Sequence, residues 1–506
     1  MHGRFLMKSI YILIFLSLIL LSGEIQAKRK KQYFNQIEFE VDFTITHEIL
    51  SANFISALGN ELLVIGEDAE KRKVFALYVL DEQTKQYRQY HKIQPPESVS
   101  VFDLMTDDKG LEKVLFINPN EILTLSFENK MISPLAENPS LYLNPKPQFI
   151  AKKELVKDLN GDGLDDIFIS DFKNINVFLQ KNNGEFNRTT LPIKAIVNMT
   201  TEDIAFSEKP LFNVDTNFDQ LKDIITLQDS KLRVFEQSKT LDFSLITSEI
   251  TLPFKVSAVP WWMLRGADGK SADQSNLKHR MLEAIEDING DGIADIMVRL
   301  TNSSGVFDRQ NIYEIFYGFN SKGELSFLSK PNTSISAEGT LSGLELLDIN
   351  ADGRKEILVS SFDIGISQII GALLSGSIDQ DVYVFSLDKN DEFTEDPLFE
   401  EEVDLNFSLS SGSTGRPVIL LADLNGDKLK ELVLSSGSKR LAIYRGENSD
   451  ELFKSRSKRH KLKLPENGAM ISAVDLNDDA KQEILVRYGK QDPEELRHKI
   501  IVLSAK

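Results

Sequence analysis

Short apolar runs recur along the chain, each just after a cluster of aspartate, asparagine and glycine: Ile167-Phe168-Ile169, Ile224-Ile225-Thr226, Ile296-Met297-Val298, Ile357-Leu358-Val359, Leu432-Val433-Leu434 and Ile484-Leu485-Val486. Consecutive apolar residues in an extended chain point to opposite faces, so these runs predict strands buried on both sides. Further on come a second β-rich run and a turn followed by Phe. Val177-Phe178-Leu179 leads to Asn182-Asn183-Gly184-Glu185-Phe186, and Tyr383-Val384-Phe385 to Asn390-Asp391-Glu392-Phe393. Each repeat reads as strand, acidic loop, strand, strand, turn, strand. A four-stranded unit with two apolar faces needs a neighbour on each, and radial stacking supplies both. The prediction is an all-β fold, a β-propeller of four-stranded antiparallel blades.

The acidic clusters share one form, Asp-x-Asn-x-Asp-x-x-x-Asp/Glu. The positions singled out are Asp158, Asn160, Asp162, Leu164 and Asp166; Asp215, Asn217, Asp219, Leu221 and Asp223; Asp287, Asn289, Asp291, Ile293 and Asp295; Asp348, Asn350, Asp352, Arg354 and Glu356; Asp423, Asn425, Asp427, Leu429 and Glu431; and Asp475, Asn477, Asp479, Lys481 and Glu483. A degenerate copy, from Asp103 through Asp107 to Leu111, keeps the rhythm without ligands at positions 3 and 9. The intact copies start between about 50 and 75 residues apart, above the roughly 40–50 of compact blades, so insertions are expected. Upstream, residues 51–95 read as a blade without a loop. Eight blades are favoured, with seven as the competing count. The last repeat ends at Ile500-Ile501-Val502-Leu503, one strand short, and the alternation of Gln36 to Ile45 predicts the missing outer strand that closes the ring.

Oxygen side chains at positions 1, 3 and 5, a backbone carbonyl at 7 and a carboxylate at 9 suit a hard cation of calcium size, and Gly at 6 permits the sharp turn. The oxygen-only donor set disfavours zinc and copper, and magnesium demands a stricter octahedron. An EF-hand needs Glu at position 12, where these copies carry Ile169, Thr226, Val298, Val359, Leu434 and Val486. Up to six structural calcium ions are expected. Gln220, Lys428 and Ala480 replace the position-6 glycine, which predicts three weaker sites, since a left-handed non-glycine residue costs on the order of 1 kcal/mol.

These loops and the strands after them resemble the FG-GAP and VCBS repeat superfamily, the β-propellers that include the integrin α-subunit head and many exported bacterial proteins. The resemblance covers roughly residues 100 to 506 and extends to the Asn182–Phe186 turn. It implies ions that are mainly structural, held between the first two strands of a blade. The Phe-Gly and Gly-Ala-Pro signatures of integrin repeats are missing, so integrin-like ligand binding is not implied.

Charge and composition narrow the partners. A formal net charge of -19 argues against nucleic acid and anionic membrane surfaces, and the six loops hold nearly all of it. The apolar stretch Ile10–Leu21, after Arg4 and Lys8 and before Ala27, predicts a signal peptide over residues 1–27, with a single propeller domain from 28 to 506. The mature chain is expected to lack a transmembrane segment, to be a monomer, and to be periplasmic, cell-surface or secreted. There are no cysteines, so metal or core must do the work of disulfides.

Catalytic signatures are scarce. The mature chain's five histidines form no His-x-x-x-His pair, and neither a Gly-x-Ser-x-Gly elbow nor a Walker loop occurs. A binding, adhesion or scaffolding role toward a protein or carbohydrate partner is the preferred reading. The enzymatic alternative is a calcium-dependent polysaccharide lyase with His279 or Lys278 as base. Two insertions stand out: the loop holding both tryptophans, Trp261 and Trp262, for stacking on a sugar or partner or else for core packing, and the apolar stretch Asp363 to Ser377, read as a helix or hairpin packed over one end of the propeller in preference to a docking surface. The basic run Lys454–Lys461 contrasts with the acidic Glu392–Asp404, as a solvated loop or a contact for an anionic partner.

Overall fold

The computed structural model describes residues 33–506 except 56–60, 82, 200–203, 266–269, 271–272, 274, 306–307, 338, 363–376, 409–412 and 450. The expected signal peptide and nearly all of the Asp363–Ser377 insertion lie outside the described residues. Among the described residues no helix is long and apolar enough to cross a membrane.

Among the described residues eight mostly antiparallel sheets, apart from two small hairpins, follow one another in chain order and form eight blades, settling the count against seven. Blade 1 is built on strands Glu61–Glu67, Lys73–Asp81 and Gln86–Ile93, and blade 2 runs from Val101–Thr106 to Met131–Glu137. Blades 3 to 7 each begin with the strand that enters an acidic loop. Blade 8 has strands Ile471–Val474, Glu483–Arg487 and Lys499–Ala505, and its outermost strand is Phe34–Glu40 from the other end of the chain. Phe34 pairs with Ala505 and Glu40 with Lys499, so the ring closes by pairing its two ends. The expected closing strand Gln36–Ile45 is split: Thr44–Ile45 leaves blade 8 and pairs with Gly66 and Glu67 of blade 1. Gly66 permits that crossing, since a Cβ there would sit 2.1 Å from the Thr44 carbonyl oxygen.

Alternate residues of one strand serve different neighbours. Ile357 and Val359 pack into the cluster between blades 5 and 6, while Leu358 packs between blades 6 and 7. Leu432 and Leu434 join that second cluster, and Val433 joins the one between blades 7 and 8. One hydrophobic cluster fills each gap between successive blades, and the ring-closing gap between blades 8 and 1 is filled by Phe39, Leu485, Val502, Leu62 and Val64 among others. This is why the central strands lack the polar alternation of a half-exposed sheet.

Candidate functional site

The six acidic loops join the first strand of a blade to the second, so all six emerge at one end of the ring. Each repeats one hydrogen-bond pattern. The Asp at position 1 accepts the N–H of position 6: Gly163, Gln220, Gly292, Gly353, Lys428 and Ala480 donate at 2.8–3.0 Å. The Asn at position 3 accepts the N–H of position 5, as from Asp162 at 3.0 Å and Asp479 at 3.2 Å. The Asp at position 5 accepts the N–H of position 7, from Leu164, Leu221, Ile293, Arg354, Leu429 and Lys481. Short polar side chains thus fold the loop on itself before any ligand is considered.

Position 9 plays a different part. Asp166, Asp223, Asp295, Glu356, Glu431 and Glu483 are buried at the start of the second strand. Each accepts the N–H of position 2, from Leu159, Thr216, Ile288, Ile349, Leu424 and Leu476 at 2.8–3.1 Å. In three blades the other oxygen accepts an N–H at the end of the third strand, from Gln180, Gln237 and Gly318. In a fourth, Ser386 Oγ donates to Glu356. The acid therefore ties three strands together. Burial, with added repulsion from the aspartates at positions 5 and 1, pushes Asp166, Asp295 and Glu356 up to about 7.

The glycine requirement is broader than position 6. Position 4 is also left-handed in every loop, with φ of 77° at Gly161, 60° at Phe218, 80° at Gly290, 59° at Ala351, 80° at Gly426 and 57° at Asp478. At position 6, Gln220, Lys428 and Ala480 adopt φ of 72°, 71° and 65°. The expected division into three good and three strained loops becomes a finer series. The loops at 158 and 287 have glycine at both positions, those at 348 and 423 at one, and those at 215 and 475 at neither.

Successive loops touch around the ring. Lys355 N–H donates to the Ile288 carbonyl at 2.9 Å, Lys430 to Ile349 at 2.9 Å and Gln482 to Asp423 at 2.7 Å. Asn213 Nδ2 donates to the Leu159 carbonyl at 3.0 Å.

Two blades depart from the pattern. The degenerate copy is not a stretched loop: Asp103 lies inside strand Val101–Thr106, and its carboxylate accepts the N–H groups of Leu155 and Val156 in the next blade. The turn is shortened to Asp107–Leu111, and the Lys113 ammonium lies 2.9 Å from the Asp107 carboxylate. Blade 1 retains more than the sequence reading found. Glu61 accepts the Phe54 N–H at 2.7 Å and the Ile55 N–H at 3.3 Å, the same position-9 to position-2 bond, with Asn53 at position 1. The signal was present in the eight-residue spacing from Asn53 to Glu61, without the Asp-x-Asn-x-Asp that made the other copies visible.

Among the described residues, no three His, Cys, Asp or Glu side chains are gathered closely enough to hold a metal ion. The donor set nevertheless fits a hard cation: each intact loop offers only oxygens at positions 1, 3, 5, 7 and 9, and its acids repel one another. In the loop at 423, Arg445 Nη2 lies 3.4 Å from Asp427, and in the loop at 475 Lys481 Nζ lies 4.0 Å from Asp479, so side-chain cations partly offset the acids there.

The tryptophans lie at the other end of a blade. Trp261–Met263 form a single 3-10 turn beside the start of strand Leu277–Glu286, whose far end enters the loop at 287. Trp262 is 48% exposed, and the two indoles meet edge to face at 5.7 Å. The guanidinium of Arg299 lies 5.7 Å from the Trp262 ring centre and that of Arg309 5.7 Å from Trp261. Trp262 is therefore a surface residue and Trp261 is half-buried beside it. His279 donates Nε2–H to the Val259 carbonyl at 2.9 Å, and burial lowers its pKa; Lys278 pairs in register with Asn302. The basic run is partly an edge strand: Lys458–Lys461 is the outermost strand of blade 7, beside the acidic outer strand Phe399–Ser408 of blade 6. Lysine on an exposed edge discourages pairing with another chain.

A ring of blades whose first loop is acidic and whose second strand is apolar on both faces defines a class, the β-propeller with loop-bearing repeats. Residues 158–206 and 287–359 match the FG-GAP-like repeat, and these stretches hold the three loops with glycine at position 6. The chain is a β-propeller that carries FG-GAP-like repeats over these two stretches. No curated protein matches it in sequence. Among solved structures it is similar to an Agrocybe aegerita lectin described as recognising non-reducing terminal N-acetylglucosamine, at 11% identity over 93% of this chain and 95% of that one, with a TM-score of 0.39. It is also similar to a Lactobacillus plantarum protein, at 12% identity over 85% and 97% with a TM-score of 0.34. A third is the V. cholerae biofilm matrix protein Bap1, at 13% identity over 90% and 76% with a TM-score of 0.28. At these values none of the three bears on ligand or activity.

Proposed function

We propose that the protein is an exported, calcium-stabilised propeller that serves as a binding module, in adhesion or scaffolding, for a protein or glycan partner. The observation that carries this reading is the division between the two ends of the ring. At one end the acids are tied into the backbone of their own blades, the position expected of architecture. At the other, the exposed Trp262 and the half-buried Trp261, each under an arginine, offer the aromatic surface that suits a sugar or a protein partner.

In this reading the residues at positions 1, 3, 5, 7 and 9 of each loop hold calcium, and the ion's charge relieves the repulsion among three carboxylates. Export accounts for the apolar N-terminal stretch and for a calcium supply sufficient to fill weak sites. The chain without residues 1–27, immobilised and exposed to a glycan array and to extracellular protein extracts, is expected to retain a partner in calcium and to release it in EGTA. Trp261→Ala with Trp262→Ala is expected to abolish retention while leaving the melting temperature unchanged. Turnover of a polysaccharide with an unsaturated, ultraviolet-absorbing product would overturn the reading in favour of the lyase alternative.

A further inference from the structure

A cleft between blades 3 and 4, at the end away from the acidic loops, collects positive charge that the fold does not use. Its walls are residues 192–196, the turn around Asp229 and residues 256–259, and its volume is about 480 Å3, within the range of roughly 300–1,000 Å3 usual for ligand sites. Lys194, Lys209 and Arg233 line it against a single carboxylate, Asp229.

Arg233 is held in place. Its Nη1 donates to the Pro192 carbonyl at 2.7 Å, its Nε to Thr247 Oγ1 at 3.4 Å, and its guanidinium lies 5.0 Å from the Phe235 ring centre. Lys209 is half-buried: burial lowers its pKa, Asp229 raises it, and Arg233 lowers it further. Nearby lysines have partners, Lys153 with Glu208 at 3.2 Å and Lys231 with Glu249 at 2.7 Å, whereas among the described residues no ion pair is formed by Lys194, Lys209 or Arg233. In a chain with 77 acidic and 58 basic residues, three cations around this cleft face one carboxylate, Asp229. An anion there would relieve the repulsion and offset the cost of burying Lys209.

The cleft runs toward the tryptophans. Val259 lines it and leads through Pro260 into the Trp261–Met263 turn. Across from that turn stands the hairpin Ile196–Met199 with Ile204–Ser207, whose Asn198 Nδ2 lies 3.8 Å from Met263 Sδ. The geometry points to this cleft as a binding site for an anionic saccharide, whose carboxylate or sulfate groups meet Lys194, Lys209 and Arg233 and whose ring lies toward Trp261 and Trp262. The acidic loops lie at the far end of the ring and do not repel such a ligand. This inference rests on the binding reading above and gives it a ligand class.

The two tryptophans of the chain lie on the turn into which Val259 of the cleft wall leads, so intrinsic fluorescence reports on a saccharide that reaches from the cleft to that turn. The calcium-loaded chain would be titrated with an oligogalacturonate, a sulfated chondroitin oligosaccharide and a neutral cello-oligosaccharide. A saturable change is expected with one or both anionic ligands and not with the neutral one. Lys209→Ala is expected to weaken binding at least about tenfold, the size of one charge-assisted contact. Lys194→Ala should weaken it less, and added salt should weaken it in the parent chain. Arg233→Gln is a secondary variant because Arg233 also braces Pro192. Carboxylate and sulfate sources are separated by which anionic arm responds. Unchanged affinity in a Lys194→Ala, Lys209→Ala double variant of normal melting temperature overturns the assignment, as does an equal response to the neutral sugar. In either case the binding reading survives if the calcium-dependent pull-down retains a partner; failure of both experiments removes both.

Discussion

Blade 1 and blade 6 solve one local problem with different means. Both must hold the start of the second strand against the turn that precedes it, and both do so with a buried glutamate that accepts the N–H seven residues earlier, Glu61 from Phe54 and Glu356 from Ile349. Blade 6 adds Asp348, Asn350 and Asp352, an acidic loop whose charge adds to the burial that raises Glu356 up to about 7. Blade 1 has Asn53 and Ile55 at positions 1 and 3, no carboxylate cluster, and a buried Glu61 Oε1 with no hydrogen-bond partner among the described residues. Blade 2 takes a third course, with a shortened turn whose Asp107 is met by Lys113. In blade 1 the position-9 acid persists where the other ligands are gone, so its tie to the backbone is a structural function separate from any cation. The rest of the loop is what an ion would act upon.

That separation makes the comparison breakable. The largest effect expected is from chelation: excess EGTA should lower the melting temperature by many degrees, with calcium restoring it, because six loops of three carboxylates would be left without counter-charge. An unchanged transition would remove calcium from blades 3 to 8 and make all the loops equivalent to that of blade 1.

Next in size is truncation of the tie itself. Asp295→Ala and Glu61→Ala each strand buried N–H groups and should each cost about 2–4 kcal/mol in urea unfolding, even in EGTA. The two variants should differ in calcium, where Asp295→Ala also loses part of the calcium-dependent gain and Glu61→Ala keeps all of it. Equal calcium gains in both would sink the distinction.

Smaller still is the backbone strain. Ala480→Gly should stabilise the loop at 475 by about 1 kcal/mol and tighten its calcium affinity, whereas Ala469→Gly outside any loop should not. A loss of stability at Ala480→Gly would show that the left-handed position carries no cost.

The smallest effect is the share of the pH dependence that blade 1 contributes. Burial raises the Glu61 carboxyl pKa, so the unfolded chain gives up that proton more readily than the folded one. The contribution of Glu61 to stability is therefore fully present below the ordinary carboxylate value near 4.5 and is lost as pH rises through the raised folded value. Glu61→Gln, which can still accept the Phe54 N–H, should flatten that part of the stability profile and gain relative to the parent as pH rises, by at most about 1 kcal/mol. Parallel profiles for parent and variant would show the carboxyl to be ordinary.

The amino-acid sequence by itself determined the repeat, the all-β blades, the doubly buried second strands and the ring closure by the N-terminal segment. All of these rest on local chemistry: an Asx-rich turn folds on its own backbone, and an apolar run seeks cover on both faces. Tertiary structure decided the features that depend on residues far apart in the chain. It separated Asp103 from the turn it was read into, because that side chain reaches a strand of the next blade. It revealed Glu61 of blade 1 as a counterpart of the acids at position 9, since a hydrogen bond survives where a motif has decayed. It showed position 4 to be as left-handed as position 6, which composition alone does not reveal when Phe218, Ala351 and Asp478 occupy it. It also brought Lys194, Lys209 and Arg233 to one cleft near the tryptophans, a convergence that no spacing along the chain announces because each residue comes from a separate segment held by the packing of two blades.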